Sequence, residues 1–468
     1  EKDLLGQRQV PAEAYYGIET LRGKENFEIT KRGICRQMIK ALAIVKKAAA
    51  KANVDALNID EKVGKAIMLA CDEILNGRLH GQFVTDLIQG GAGTSMNMNA
   101  NEVIANRANE LLGGKKGVYD FVHPNDHVNF GQSTNDVIQT AGKIAIVKQL
   151  KKLQVELKKL YNAYLNKATE FKDVIKMGRT HLQEALPLRL GQEFSAYASA
   201  LNRDMKRIDV AIEALLEVNM GATAIGTSLN ANEKYRKKVI YYLNKFSGEQ
   251  IKPAKDLIDA TRNFDTFGQA SSTLKLLALN LSKTASDLRL MASSGSNGFS
   301  EITLPHVQPG SSIMPGKYNP VVPEMVNQVC FYVIGLDVTI TKAIEAGQLE
   351  LNVFGPIILM SLFEQITTLR RATRTFHNLA ISGLIANTTK YKTDNSIYLI
   401  TALSPHLGHE EACNVVNEAI SSEKTIKQVL LDHHILSEEI INMVLDESNM
   451  TNPGIALENI LKEKKEQE

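Results

Sequence analysis

The central third of the chain carries apolar residues that recur at alternating steps of three and four positions. The clearest run consists of Ile146, Leu150, Leu153, Leu157, Leu160 and Tyr164. Four further runs repeat this rhythm, within residues 201–215, 274–288, 326–340 and 362–376. Such spacing gives each helix one apolar stripe and packs neighbouring helices roughly 20° apart. The pattern therefore predicts an all-α fold built on a central bundle of five helices, each about 25 to 30 residues long.

One helix of this bundle has apolar residues outside a single stripe. Leu276, Leu279 and Leu290 lie beside the stripe positions Leu277 and Leu281. A helix that is apolar over much of its circumference must be covered on more than one side. We therefore expect the bundle to pack against the bundles of other subunits.

The composition excludes several classes of protein. The 54 basic and 52 acidic side chains give a formal net charge of +2, so no bulk field favours nucleic acid or an anionic membrane. No apolar run approaches the roughly 20 residues needed to span a bilayer, and the charged first residues lack the apolar core of a signal peptide. The four cysteines are scattered without paired spacing, which argues against zinc fingers and a disulfide framework. We expect a cytoplasmic protein that binds neither nucleic acid nor membrane.

The segment Gly310–Pro320, GSSIMPGKYNP, is the strongest functional signal in the chain. It combines adjacent hydroxyls at Ser311 and Ser312 with the cation Lys317 and the carboxamide of Asn319. Because proline and glycine break helices, this segment is predicted to be a mobile polar loop between two helices. An ordinary surface connection has a similar composition, but binding and catalytic residues are found disproportionately on such loops.

Two polar segments come earlier in the chain. Residues 90–103, GGAGTSMNMNANEV, offer glycine freedom and a hydroxyl to a ligand, or simply form a turn that caps a helix. Residues 131–136, GQSTND, precede the first long helix, where polar side chains suit both N-capping and the binding of a carboxylate. The candidate binding residues in these two segments are Thr94, Ser133, Thr134 and Asn135.

A third segment, GRTHLQEALP at residues 178–187, holds Thr180 and His181 between two long helical stretches. A single histidine is more often structural than catalytic, but the neighbouring polar residues favour a functional role. His123 and His127 are four residues apart, with a proline between them and no evident third ligand. We therefore expect no metal site.

No internal repeat or low-complexity linker divides the chain, but its character changes along its length. We predict an N-terminal domain (1–133), a central helical-bundle domain (134–386) and a smaller C-terminal domain (387–468). The final residues, KEKKEQE, are predicted to form a solvated tail.

In chain order, GGAGTS, QSTND, GRTH and GSSIMPGKYNP each resemble a signature segment of the fumarase/aspartase superfamily. The resemblance runs nearly end to end, from DLLGQRQVPAEAYYG (3–17) to the polar C-terminal part. These enzymes eliminate ammonia, water or an amine from a succinyl skeleton and release fumarate. They are homotetramers in which four five-helix bundles form a 20-helix core, and each active site draws residues from three subunits. The resemblance thus implies a homotetrameric lyase without metal or other cofactor.

Within the superfamily, the chain most resembles the members that deaminate L-aspartate. Three segments carry this likeness: GGAGTSMNMNANEV (90–103), EVNMGATAIGTSLN (217–230) and EAGQLELN (345–352). The expected reaction is the reversible release of ammonia from L-aspartate to give fumarate. The alternatives are hydration of fumarate, as in class II fumarate hydratases, or release of another amine. A third interpretation is a bundle protein of this fold that has lost catalysis.

The resemblance also implies a role for each candidate residue. Ser311 would remove the Cβ proton of the substrate, and Asn135 and His181 would lie near the departing amine. The β-carboxylate would bind Thr94, Ser133, Thr134 and Ser312. The α-carboxylate would bind Thr180, Lys317 and Asn319. Because a free serine is a very weak acid, backbone N–H groups and the charge of Lys317 must stabilise its alkoxide.

The chain departs from the family pattern at a few positions. Tyr318 stands where a valine is usual, and Gln139 where a proline is common. Gly355 replaces a residue that is often acidic. The stretch SSGSNGFSEI, residues 293–302, is shorter than its family counterpart and lacks an arginine. None of these changes removes a proposed contact residue.

Overall fold

The computed structural model describes residues 1–295, 297–388 and 396–459, so the predicted C-terminal tail lies outside the described residues. Helices dominate it, which confirms the all-α prediction. The α-helices are, in chain order, α1 Ile18–Asn26, α2 Arg36–Asp55, α3 Glu61–Leu75, α4 Thr94–Leu111, α5 Thr134–Glu170, α6 Leu190–Leu215, α7 Glu233–Ser247, α8 Leu257–Arg262, α9 Asp265–Met291, α10 Val321–Glu345, α11 Gly355–Phe376, α12 Ile400–Leu407, α13 His409–Ser422, α14 Ile426–Asp432, α15 Glu438–Val444 and α16 Glu447–Met450.

The described strands are short and form two-stranded pairs. They are β1 Lys2–Asp3, β2 Gly6–Gln7, β3 Ile175–Thr180, β4 Gln183–Arg189, β5 Glu217–Val218, β6 Lys252–Pro253, β7 Ile302–Thr303 and β8 Ile385–Ala386. β5 and β6 are parallel, and the other three pairs are antiparallel. Among the described strands, only those of the β3–β4 hairpin have six and seven residues, and this hairpin carries part of the candidate site.

The five predicted bundle helices are α5, α6, α9, α10 and α11. The longest, α5, has 37 residues, which corresponds to roughly 55 Å of helix. The six residues of its predicted stripe are all at most 1% exposed. The 3–4 pattern therefore identified both the helices and the α5 face that is buried in the core.

The second apolar face of α9 is also present. Leu277 and Leu281 are buried, whereas Leu276, Leu279 and Leu290 are between 39% and 47% exposed in the single chain. The additional apolar positions therefore lie at the surface of this chain, as expected for a helix that is covered from outside.

Among the described residues, α10 alone is long and apolar enough to cross a membrane by length and composition. The core helix of a bundle passes the same test. Its Asp337 is buried and accepts hydrogen bonds from Ser271 Oγ at 2.7 Å and Lys275 Nζ at 2.6 Å. This packing identifies α10 as one of the predicted bundle helices.

The described chain forms two compact units, each built from three separate stretches. The first unit comprises residues 1–157, 203–281 and 328–372, and the second comprises residues 158–202, 282–327 and 373–468. The predicted division into domains at residues 133 and 386 follows the chain rather than these units, and it stays a prediction.

Helix α4 organises the first unit through buried asparagines. Asn99 accepts a hydrogen bond from the N–H of Val84, and its amide donates to the carbonyl of Gln82. Asn109 likewise binds backbone groups of residues 105, 121 and 122. Buried amides need such partners, so these side chains fasten the surrounding loops to α4.

The C-terminal part of the second unit has its own small core. Residues of α12 to α15 supply it, among them Leu403, Val415, Val429, Leu430 and Ile441, which are at most 2% exposed. This apolar cluster accounts for the folding of a region whose sequence is otherwise largely polar.

Candidate active site

Two helix starts in the first unit present the candidate hydroxyls of Thr94 and Thr134. Gly91, Ala92 and Gly93 all have positive φ, so the chain turns sharply before α4 begins at Thr94. A Cβ on Gly93 would lie 3.2 Å from Ile138 of α5, so the turn packs directly against the start of that helix. The structure therefore brings these two predicted segments together.

A buried carboxylate anchors the start of α5. Asp136 is fully buried and accepts hydrogen bonds from the backbone N–H groups of Ser133 at 2.9 Å, Gly221 at 3.1 Å and Thr223 at 3.1 Å. Burial raises the pKa of Asp136 to about 6, although the three N–H groups favour its charged form. Asp136 thus ties the GQSTND segment to the segment 217–230.

The polar side chains next to Asp136 face different partners. Asn135 donates through Nδ2 to the carbonyl of Ala224 at 2.6 Å, so its amide also holds the segment 217–230. Ser133 and Thr134 line a cavity of about 820 Å³, together with Asn97 and Asn129. We refer to Thr94, Ser133, Thr134 and Asn135 as the helix-end cluster.

A buried lysine lies behind the cluster. Lys46 of α2 is fully buried, and its Nζ donates to Asn129 Oδ1 at 2.8 Å and Gln132 Oε1 at 3.0 Å. Burial lowers the pKa of Lys46 to about 7, while the nearby charge of Asp136 opposes that shift. This lysine is not among the site residues predicted from the sequence. The available signal was a charged residue inside the apolar run ALAIVKKAAA.

The second unit carries Thr180 and His181 on the β3–β4 hairpin, where the sequence analysis expected only a link between helices. Thr180 ends β3, and the turn consists of His181 and Leu182, whose φ values are 54° and 61°. Two-residue hairpin turns of this kind favour asparagine and glycine, because other residues are strained at positive φ. Both turn side chains are exposed, so His181 projects from a strained and solvent-facing tip.

An ionic cluster supports the base of this hairpin. Lys176 Nζ lies 2.6 Å from Glu301 Oε2 and 3.1 Å from Glu193 Oε2, and Arg179 also pairs with Glu301. The guanidinium of Arg179 lies 4.3 Å from the centre of the Phe299 ring. Phe299 and Glu301 belong to residues 293–302, the stretch that lacks the arginine found in its family counterpart. Arg179 therefore supplies a guanidinium to this stretch.

The segment Gly310–Pro320, the signature loop, is exposed and held by bonds within itself. Ser311 Oγ accepts hydrogen bonds from the backbone N–H groups of Ile313 at 3.2 Å and Met314 at 3.1 Å. Asn319 donates through Nδ2 to the carbonyl of Gly310 at 2.8 Å, which closes the loop. Ser312 and Lys317 are exposed at its surface. The two N–H donors favour a negative oxygen on Ser311 over a neutral hydroxyl.

Tyr318, the departure from the family pattern, has a defined partner. Its ring stacks on His306 with centroids 3.6 Å apart and an interplanar angle of 5°. Lys317, Tyr318 and Asn319 line a cleft together with His306 and Asn387. The aromatic ring therefore fixes one end of the signature loop where a valine could not stack.

The predicted site residues thus fall into two groups. The first unit holds the helix-end cluster, and the second holds Thr180, His181, Ser311, Ser312, Lys317 and Asn319. Within the part of the chain that the structure describes, no hydrogen bond joins the hairpin turn to the signature loop. No group of three or more metal-binding side chains is found among the described residues either. His127 Nδ1 instead accepts the backbone N–H of His123 at 2.8 Å.

Comparison with known proteins identifies the class of this protein. Residues 6–335 match the family model described as lyase, and residues 399–452 match the model described as fumarase C C-terminus. The chain belongs to this lyase family, the fumarase/aspartase superfamily, as its signature segments predicted. It is accordingly a lyase.

The chain is more similar to some members of this family than to others. The chain is 51% identical to aspartate ammonia-lyase of Bacillus subtilis over 463 residues, which covers 98% of each chain. Among solved structures, fumarate lyase:delta crystallin from Brucella melitensis bound to cobalt is 45% identical, with a TM-score of 0.94 over 97% of this chain and 99% of that chain. Class II fumarase from Schistosoma mansoni also has a TM-score of 0.94, but it is 34% identical over 97% of this chain and 98% of that chain.

Proposed function

We propose that the protein catalyses the reversible deamination of L-aspartate to fumarate and ammonia. The observation that carries the proposal is Ser311, whose Oγ accepts two backbone N–H groups in an exposed loop. A serine that acts as a base needs its oxyanion to be stabilised before the substrate arrives. The 51% identity to an aspartate ammonia-lyase, against 34% to a class II fumarase, favours ammonia over water as the leaving group.

The chemistry proceeds in two steps. The Ser311 alkoxide takes the Cβ proton of aspartate, and the electron pair of that C–H bond moves into the β-carboxylate to form an enediolate. The enediolate then collapses to a carboxylate, and its electron pair forms the Cα–Cβ double bond. The Cα–N bond of the protonated amino group breaks, and the nitrogen keeps that electron pair and leaves as ammonia. Preorganised donors stabilise the charge where it develops in the first step.

The binding roles follow from the same proposal. The β-carboxylate binds the helix-end hydroxyls of Thr94, Ser133 and Thr134 together with Ser312. The α-carboxylate binds Thr180, Lys317 and Asn319. Asn135 and His181 lie beside the amino group. The exposure of Lys317 and His181 supports these roles, since a substrate can reach both side chains. No cofactor takes part in the proposed reaction.

We further propose that the active form is a homotetramer with a 20-helix core. Bundle residues that are 55% to 63% exposed in the single chain, Val155, Val210, Phe331 and Val338, support this proposal. Subunit packing would remove this apolar surface from water. The four free thiols among the described residues suit the proposed reducing cytoplasm.

The absorbance of fumarate tests the proposed activity directly. The purified protein is given L-aspartate, L-malate, argininosuccinate and adenylosuccinate separately, and released ammonia is measured in parallel. We expect fumarate and ammonia in equal amounts from L-aspartate and little product from the others. Fumarate from L-malate alone would assign the protein to the hydratases, and no product from any substrate would support a non-catalytic role.

A further inference from the structure

Asn97, a buried side chain outside the predicted set, contacts a hydroxyl of the helix-end cluster. It lies in the first turn of α4 and is only 1% exposed. Its Nδ2 donates to Thr134 Oγ1 at 3.4 Å and to Asn129 Oδ1 at 3.3 Å. These bonds join Thr134 to the buried polar network behind it.

The direction of these hydrogen bonds is fixed by the neighbours of Asn129. Its Nδ2 donates to the carbonyl of Gln132 at 3.2 Å, so the atom that faces Lys46 Nζ at 2.8 Å is the acceptor Oδ1. The atom of Asn97 that faces Asn129 Oδ1 must then be the amide nitrogen, because two oxygens would repel. The second hydrogen of that nitrogen points to Thr134 Oγ1.

These bonds define the orientation of the Thr134 hydroxyl. Its oxygen accepts from Asn97, and no acceptor among the described residues takes its hydrogen. Thr134 lines the same cavity as Ser133, so the unused hydrogen is available to an acceptor that enters there. A carboxylate is an acceptor only, which makes it the matching ligand.

Asn97 also differs from the α4 asparagines that fasten loops. Asn99 and Asn109 use both ends of their amides on backbone groups. Asn97 contacts side chains, and its Oδ1 has no partner among the described residues. Asn97 is thus bound to side chains around the cavity rather than to a loop backbone, which distinguishes its role from that of Asn99 and Asn109.

We propose that Asn97 is a positioning residue that turns the Thr134 hydroxyl hydrogen toward the substrate carboxylate. This inference rests on the proposed function, in which Thr134 binds the β-carboxylate. Asn97 itself stays behind Thr134 and does not touch the substrate. Its effect must therefore pass through the threonine oxygen.

A double-mutant cycle tests this dependence. Asn97→Leu keeps the branching at Cγ but removes the donor, and we expect kcat/KM for L-aspartate to fall about tenfold, with a similar loss of succinate affinity. In a Thr134→Val background the same change should cost less than twofold. In a Thr134→Ser background, which keeps the hydroxyl, the tenfold loss should return. Asn97→Ser replaces Asn97→Leu in the cycle if the leucine variant does not fold.

Asn101→Leu is the matched control, since Asn101 is buried one turn further along α4 and also leaves its Oδ1 unpaired. The loss of kcat/KM caused by Asn101→Leu should be the same in the wild-type and Thr134→Val backgrounds. Equal losses for Asn97→Leu in wild-type and Thr134→Val backgrounds would overturn the inference. A wild-type protein that binds succinate but releases no fumarate from L-aspartate would instead overturn the proposed function.

Discussion

The helix-end cluster and the signature loop present the same kinds of polar group by opposite means. Thr134 is 8% exposed and contacts the buried Asn97, in a polar network that contains the fully buried Lys46 and lies beside the fully buried Asp136. In the signature loop, Ile313 is 84% exposed, and Ser311 is held by two N–H groups of its own turn. One region is positioned by the core, and the other by short-range bonds.

Because of this difference, changes in the two regions should affect stability and activity to different degrees. A change in the buried network removes hydrogen bonds from groups that cannot reach water, so the free energy of unfolding falls. A change in the exposed loop leaves the core intact, so its effect is confined to binding and turnover. Variants of the buried network should therefore lower stability, whereas variants of the signature loop should leave it close to wild type.

The largest effect is expected from Ser311→Ala. Loss of the proposed base should reduce kcat for L-aspartate by about a thousandfold or more. The melting temperature and the affinity for succinate should stay close to wild type, because the alanine leaves the binding residues in place. Steady-state kinetics, calorimetry and thermal melting on one preparation measure all three.

Ser312→Ala is the neighbouring control, and it should weaken succinate binding more than Ser311→Ala does. A loss of turnover below tenfold in Ser311→Ala would show that another residue is the base. His181 would then be the first candidate.

Asp136→Asn should instead lower stability. An amide has only one oxygen, so its NH2 group must face either the N–H of Ser133 or the N–H groups of Gly221 and Thr223, and we expect a loss of about 3 kcal/mol in the free energy of unfolding. Urea unfolding at pH 7 measures it. Asp126→Asn serves as control, because that side chain is 76% exposed and should change stability little. A loss under about 1 kcal/mol would mean that Asp136 does not hold the cluster.

A smaller effect concerns the pH dependence of stability. Lys143 in α5 is 5% exposed and donates to the carbonyl of Glu217 at 2.7 Å, and burial lowers its pKa to about 8. The unfolded chain keeps this proton up to an ordinary lysine pKa, so Lys143 should contribute a rise in stability of about 2 kcal/mol between pH 8 and pH 10, in addition to the rise that the buried Lys46 causes.

Lys143→Met should remove this contribution and leave that of Lys46, as measured by urea unfolding at the two pH values. Lys317→Met, in the exposed loop, should leave the rise unchanged. The same pH dependence in Lys143→Met and wild type would show that another group causes it.

The sequence predicted those parts of the molecule that depend on local pattern. The bundle helices followed from apolar spacing, and the signature loop followed from its glycines and prolines. The turn at His181 and Leu182 did not, because neither residue type indicates positive φ. The hairpin forms despite the turn, through strand pairing and the ion pairs at its base.

The contacts of the buried polar network could not be predicted from the sequence either. Lys46 and Asn129 are 83 positions apart, and nothing in either segment indicates their contact. Ser133 and Thr134 were identified because polar residues at a helix start are a recurrent pattern. The residues that position them have no such pattern, since their role arises only when distant segments pack.

The stacked ring of Tyr318 has an optical consequence. The chain contains 13 tyrosines and no tryptophan, so it has no indole fluorescence of its own. A Tyr318→Trp variant would place a single indole against His306, at one end of the signature loop. If the loop moved away from the His306 imidazole, the wavelength and intensity of the indole emission would change. The rate of this motion could then be measured during turnover without any attached dye.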